Sequence, residues 1–236
     1  MADQPVTADG RPADATSAGR PSRAEALVAR CSEALDASAR VPLLTQMSDG
    51  SVSGEAFARY LVVERDFVRT AARVAGWCLW QQPDWALAER HGAAVADLVG
   101  PQSAYFAELA ERWPAEGDLD VVRDRAAALR DRVELSRATG GYPAVVTCLL
   151  AAETLYLRWC TAASAGPAAG TARPADVQAW IDLHVTPGFR AQVAFLAEVV
   201  DTLPAPVTDA ELDGWFRGML AAEDAFHASP FAGTAP

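Results

Sequence analysis

The chain has 236 residues, 51% of them apolar and 22% charged, which suits one large globular domain with a full core and argues against a disordered or fibrous chain. Its net charge of −11 argues against nucleic acid or an anionic membrane as partner, since so acidic a surface repels polyanions. No apolar run reaches ~18 residues and no apolar stretch follows Met1, so no membrane span or secretory signal is expected, and the scattered Cys31, Cys78, Cys148 and Cys160 read as reduced, buried thiols of a cytoplasmic protein.

Residues 1–21 are rich in Ala, Asp, Gly, Pro and Thr without periodicity and are expected to form a disordered tail. The domain is expected over 22–230, with 231–236 as a second, short tail. Helical period begins at Ser22, a candidate N-cap, and continues through "SRAEALVARCSEALDASA". "MSDGSVSGE" reads as a loop that turns at Asp49-Gly50. Ser53 then caps a long helix expected over 54–81, which "QQPDW" breaks because proline disfavours helix at the residue before it. Asp84 starts the next helix, ending near "VGPQS", and "SAYFAELAERW" supplies another. "DLDVVRDRAAALRDRVELSRA" is amphipathic, and "GGYPAVV" turns the chain into a very apolar helix from 143 to about 163. The loop "ASAGPAAGTARPA" precedes a short helix over 176–184. Thr186-Pro187 is a cap followed by proline at the first helical position, and the helix it opens is closed by Pro204 and Pro206. Thr208 and Glu211 form a capping box for the last helix, which is expected to reach about His227. With no strand pattern and no internal repeat, the fold class is all-α, a single-domain multi-helix bundle.

Three carboxylates stand where apolar residues belong. Phe57, Tyr60, Leu61, Glu64, Phe67 and Val68 share one helical face, which puts Glu64 inside an apolar stripe. Trp215, Phe216, Met219, Leu220, Glu223 and Phe226 repeat the arrangement on the last helix. Glu153, with Leu149 and Tyr156 a turn to either side, is the third case. One such residue reads as a buried ion pair with an arginine. Three on three helices read better as the polar lining of a cavity, because burial raises a carboxylate's pKa and demands a partner. His184 ends the face formed by Val177, Trp180 and Ile181, and a lone histidine there is more often a hydrogen-bonded core residue than a catalyst.

A metal site finds no support in spacing. A carboxylate-bridged di-iron site in a bundle uses Glu-x-x-His, whereas His91 follows Glu89 by two residues and His227 follows Glu223 by four. No cofactor is expected, and the phosphate-binding glycine motifs and the GxSxG elbow are missing.

"PLLTQMSDGSVSGEAFARYLVVERDFV", "LLAAETLYLRW", "WIDLHVTPGFRAQVAFLAEVVDTL" and "MLAAEDAFHAS" together resemble the TenA/thiaminase-II family, in order and over about 24–230. The last resembles the family's terminal Glu-x-x-Phe-Trp stretch. The resemblance implies a haem-oxygenase-like helical bundle and a hydrolase of aminopyrimidines related to thiamin. It places Glu64 where the family has an Asp that contacts the pyrimidine, and Glu223 at the C-terminal catalytic Glu. Tyr156 falls at a pocket Tyr of the central helix, while Phe67 and His184 each stand where a Tyr is usual. Glu223 and Glu153 are therefore the candidate catalytic residues, and Glu64, Phe67, Tyr156, His184 and Tyr60 the candidates for binding a small-molecule ligand. The family's central helix often carries a nucleophilic Cys preceded by Pro, where this chain has Ala151 and Ala152. Cys148 sits a helical turn earlier, about 6 Å along the axis, and reads as a structural thiol. A branch lacking the cysteine is known, so the resemblance implies carboxylate acid–base catalysis without a covalent intermediate. Three other readings stay open: an enzyme with a different small-molecule substrate, a non-catalytic ligand-binding or regulatory protein, and an oxygen-activating metalloenzyme. The resemblance also implies a homo-oligomer, a dimer or tetramer.

Overall fold

The computed structural model describes residues 21–165 and 172–233, all without strands. The tail expected over 1–21 lies outside the described residues except for residue 21, as does the middle of the loop expected before residue 175.

The first expected helix is two, α1 (Arg23–Arg30) and α2 (Ser32–Ser38), separated at Cys31. Ser22 caps α1 in a full capping box with Glu25. The loop expected at "MSDGSVSGE" is partly helical, because Pro42 opens α3 (Pro42–Asp49) and Gly50, at φ 81°, ends it in the left-handed region that only glycine enters freely. Helix α4 (Gly54–Gln81) has the expected bounds, and the Ser53 hydroxyl accepts from the Ala56 N–H at 3.1 Å. Asp84 caps α5 (Trp85–Asp97). A π-helical turn, Leu98–Gln102, absorbs Pro101 and passes directly into α6 (Ser103–Arg112), where a plain helix end was expected.

Asp118 caps α7 (Leu119–Ser164), which takes in the stretch expected as a turn. The turn survives as a single break: Gly141 adopts φ 60°, ψ −149°, and Pro143 follows it. Before the break α7 is amphipathic. After it the helix is largely apolar and most of its residues are buried, with Thr161, Ala162 and Ser164 exposed near its end. By length and composition α7 passes the test for crossing a membrane, yet 67% of its most apolar window is buried inside the protein. The order closes with α8 (Ala175–Leu183), α9 (Pro187–Asp201), opened by the Thr186 cap, and α10 (Asp209–Ala228), opened by the Thr208–Glu211 capping box. A 3-10 turn, Ser229–Phe231, then brings the carbonyls of Pro230 and Ala232 against the buried Arg59 guanidinium.

Helix α7 is the axis of the bundle. Helix α10 lies along it, and α4 and α9 pack on its flanks. Helices α4 and α10, which carry two of the inward carboxylates, thus both pack on α7, which carries the third, and meet each other through side chains such as Tyr60 and Phe226.

Candidate functional site

Each carboxylate is carried inward by a face whose other members pack the core. Phe57, Tyr60, Leu61 and Val68 hold that face of α4 in the interior, and Glu64 goes with them. Met219, Leu220 and Phe226 do the same for Glu223, and Tyr156 and Leu155 for the partly buried Glu153. Glu223 is 0% exposed and Glu64 8%.

No arginine meets Glu64 or Glu223 in an ion pair among the described residues. Glu64 Oε2 and both oxygens of Glu223 lack a hydrogen-bond partner. The Tyr60 hydroxyl faces Glu64 and Tyr156 but reaches neither in full hydrogen-bond geometry. The indole N–H groups of Trp159 and Trp180 are unpaired as well. Each such buried group costs about 1–3 kcal/mol, and a fold keeps a cluster of them where a ligand makes use of them.

The electrostatics follow from burial and crowding. Burial pushes Glu64 up to about 7, opposed by the neighbouring Tyr60 hydroxyl. Burial, then the charge of Glu64, takes Glu153 up to about 7. Burial, then the charges of Glu64, Glu153 and Asp224, holds Glu223 well above the carboxylate range. The three therefore feel one another and share protons as a set, with Glu223 pushed furthest toward the neutral form.

Aromatic rings wall the cluster. Tyr156 stacks on His184 with centroids 5.2 Å apart and planes 23° apart. His184 lies 4.1 Å from Trp180, which stacks on Trp159 at 5.5 Å. Tyr60 meets Trp180 at 5.7 Å and Phe226 at 6.1 Å, edge to face. The His184 Nδ1–H donates to the Trp180 carbonyl at 2.9 Å, which assigns its tautomer, and burial lowers its pKa to about 4, so the ring is neutral. Phe67 and Phe226, 5.8 Å apart, form the outer wall, and a cavity of about 130 Å3 beside Asp66, Thr70 and Arg123 ends on them. Neither this cavity nor a larger one of about 500 Å3 beside Arg59 and Trp113 is lined by any of the three carboxylates.

All seven residues singled out from the sequence, Glu64, Glu153, Glu223, Tyr60, Phe67, Tyr156 and His184, thus fall in one region between α4, α7, α8 and α10. Cys148 does not turn toward it: its Sγ lies 3.2 Å from the Ser136 hydroxyl and faces the Trp215 carbonyl. Burial raises its pKa, as suits an inert thiol. Among the described residues no three His, Cys, Asp or Glu side chains group as metal ligands.

The structure adds residues the sequence reading passed over. His227, 1% exposed, lies one turn beyond Glu223 on the same face, with Nε2 3.2 Å from the Tyr156 hydroxyl and 3.9 Å from Glu223 Oε2. Its spacing from Glu223 was visible, but as a failed metal motif rather than as a neighbour. Trp180 and Phe226 were legible only as core members of their faces.

The sequence profile of the TENA/THI-4/PQQC family matches residues 31–229. No curated protein matches by sequence. Among solved structures, a TenA homologue from P. horikoshii OT3 superposes with a TM-score of 0.75 at 13% identity, covering 89% of this chain and 99% of that one. A TenA homologue from Pyrococcus furiosus gives 0.73 at 17% identity over 88% and 99% of the two chains. A TenA homologue from Pseudomonas syringae pv. tomato str. DC3000 gives 0.61 at 15% identity over 96% and 99%. At such identities the likeness speaks for the fold alone, the all-α haem-oxygenase-like bundle expected from the sequence.

Proposed function

The chain belongs to the TENA/THI-4/PQQC family, and from that premise we propose that it is a hydrolase of an aminopyrimidine or related small nitrogen heterocycle, of the thiamin-salvage type. The observation that carries this reading is Glu223: wholly buried, unpaired at both oxygens, and raised well above the carboxylate range by burial and then by the neighbouring carboxylates.

In this reading a planar ring would lie among the aromatic side chains that surround the carboxylates, against Tyr156 and His184. Glu64, poised near pH 7, accepts a hydrogen bond from the ring's amino group. Tyr60 steadies Glu64. Glu153 orients a water whose oxygen bonds to the carbon bearing the exocyclic amine. As the C–N bond breaks, Glu223 passes a proton to the leaving nitrogen and recovers one from the water, so that ammonia leaves and a hydroxyl replaces it. Nothing in this route needs a nucleophilic cysteine, which accords with Ala151 and Ala152.

Glu223→Gln keeps the shape and removes the proton. Its kcat should fall about 10²–10⁴-fold while ligand affinity changes by no more than roughly two-fold. Equal loss of both would reject the acid–base role. A thermal-shift screen with thiamin, aminopyrimidines and their formylated derivatives, followed by product detection, selects the substrate. Stabilisation without product would favour a ligand-binding protein, for which the apolar Ala151–Ala152 pair speaks. Assembly as a dimer or tetramer belongs to the same proposal. Trp80, 83% exposed, and Trp85, 75% exposed, supply apolar surface for it, and sedimentation of the protein checks it.

A further inference from the structure

His227 is a buried histidine with nothing to do in the mechanism above. Its Nε2 points at two polar groups at once, the Tyr156 hydroxyl at 3.2 Å and Glu223 Oε2 at 3.9 Å. Its Nδ1 leans toward the Glu223 backbone carbonyl one turn back without completing a hydrogen bond. His184 shows the completed version of that contact, Nδ1–H to the carbonyl four residues earlier. A carbonyl only accepts, so the proton of a neutral His227 belongs on Nδ1 and the lone pair on Nε2. The rings around it, Tyr60, Tyr156 and Phe226, carry no cation that would compete for that lone pair.

We propose that His227 is a positioning residue for Glu223: its Nε2 lone pair accepts the hydrogen bond of the Glu223 Oε2–H group, so that Oε1 faces the ligand as an oriented acceptor. The proposal rests on the reading of Glu223 as the acid–base group. The 3.9 Å separation closes to hydrogen-bond length with a small side-chain rotation, as unliganded sites commonly require. In this structure the Tyr156 hydroxyl is the group within hydrogen-bond distance of that nitrogen, at 3.2 Å, so the Glu223 Oε2–H group has to take its place or share the nitrogen with it. His227 therefore decides which oxygen of Glu223 carries the proton. In this resting state Oε1 is an acceptor for an N–H or the attacking water, and the Oε2–H group leaves His227 and turns to the leaving nitrogen when Glu223 delivers its proton.

Two measurements on the unliganded protein test this without any substrate. The first is the imidazole nitrogen chemical shifts of the 15N-histidine-labelled protein at pH 7, with the His227 signals assigned by their loss in His227→Asn. Protonated Nδ1 and unprotonated Nε2 are expected; a proton on Nε2, or a doubly protonated ring, overturns the proposal. The second is the infrared stretch of the protonated Glu223 carboxyl, identified by its disappearance in Glu223→Gln. In His227→Phe this band should move to higher wavenumber as the carboxyl loses its acceptor, and in Tyr156→Phe it should stay or move lower. An unmoved band in His227→Phe overturns the proposal. If no heterocycle is turned over, the reaction class fails, but both spectroscopic results stand or fall on their own.

Discussion

Burial lifts Glu64 and Glu153 to about 7, so a ligand's own charge can decide their state. A cationic amine placed among them draws out the ionised form, and protons are released on binding. Calorimetric titration of a protonated aminopyrimidine at pH 7 should therefore give heats that vary with the ionisation enthalpy of the buffer, and the variation should shrink in Glu64→Gln. A neutral heterocycle of the same shape should show almost none. Part of this was legible in the sequence. Glu64, Glu153 and Glu223 announce themselves because a carboxylate inside an apolar stripe breaks the helical pattern. His227 breaks the same pattern one turn after Glu223, but histidine is a common core residue and its meaning depends on Tyr156, which lies 71 residues away in the chain. Tertiary neighbours of that kind leave no mark in local periodicity.

At the scale of the element, the decisive feature is the break in α7. Gly141, with φ 60° and ψ −149°, occupies a region that costs a side chain about 1–3 kcal/mol. Gly140 beside it has no room either, since an added Cβ would fall 2.5 Å from Ala144 Cβ and 2.8 Å from the Trp215 ring. Gly141→Ala should lower the urea midpoint by that amount of free energy with an unchanged m-value, and Gly140→Ala should lower it by pushing α10 away from α7. Ser53→Ala, which removes a cap far from both, should cost only about 1 kcal/mol. The helix starts at Ser22, Ser53, Asp84, Thr186 and Thr208 could be read from the sequence because capping chemistry is local. The π turn at Leu98–Gln102 and the division at Cys31 could not, because they answer to packing rather than to residue propensity. The Gly-Gly-Tyr-Pro stretch was legible as a change of direction, and the structure has it as the kink at Gly141 where two helical segments of α7 meet.

Across the whole molecule, two sets of buried groups oppose each other in acid. Glu64 and Glu153 have folded values of about 7 against 4.5 unfolded. Their contribution is fully present below the unfolded value and is lost as pH rises toward 7. The histidines run the other way. Burial lowers His91 and His184 to about 4 and His227 to about 3, from 6.5. Their contribution is present above 6.5 and is lost as pH falls. From about pH 6.5 to about pH 5 the folded state takes up protons on carboxyls while the unfolded state takes them up on imidazoles, and the two slopes offset. The melting temperature should change little over that range, whereas a Glu64→Gln, Glu153→Gln double variant should melt progressively lower as the pH drops. The four cysteines, all free and all fully buried, carry a different consequence. Cys31 lies between α1 and α2, Cys78 near the end of α4, and Cys148 and Cys160 along the axial helix, so the thiols sample separate parts of the bundle. A thiolate must form in water before it can be alkylated. Each cysteine is thus a latent clock: the rate at which it is labelled under native conditions, site by site, times how often that part of the molecule opens, and would show whether single helices open alone or only when the whole bundle comes apart.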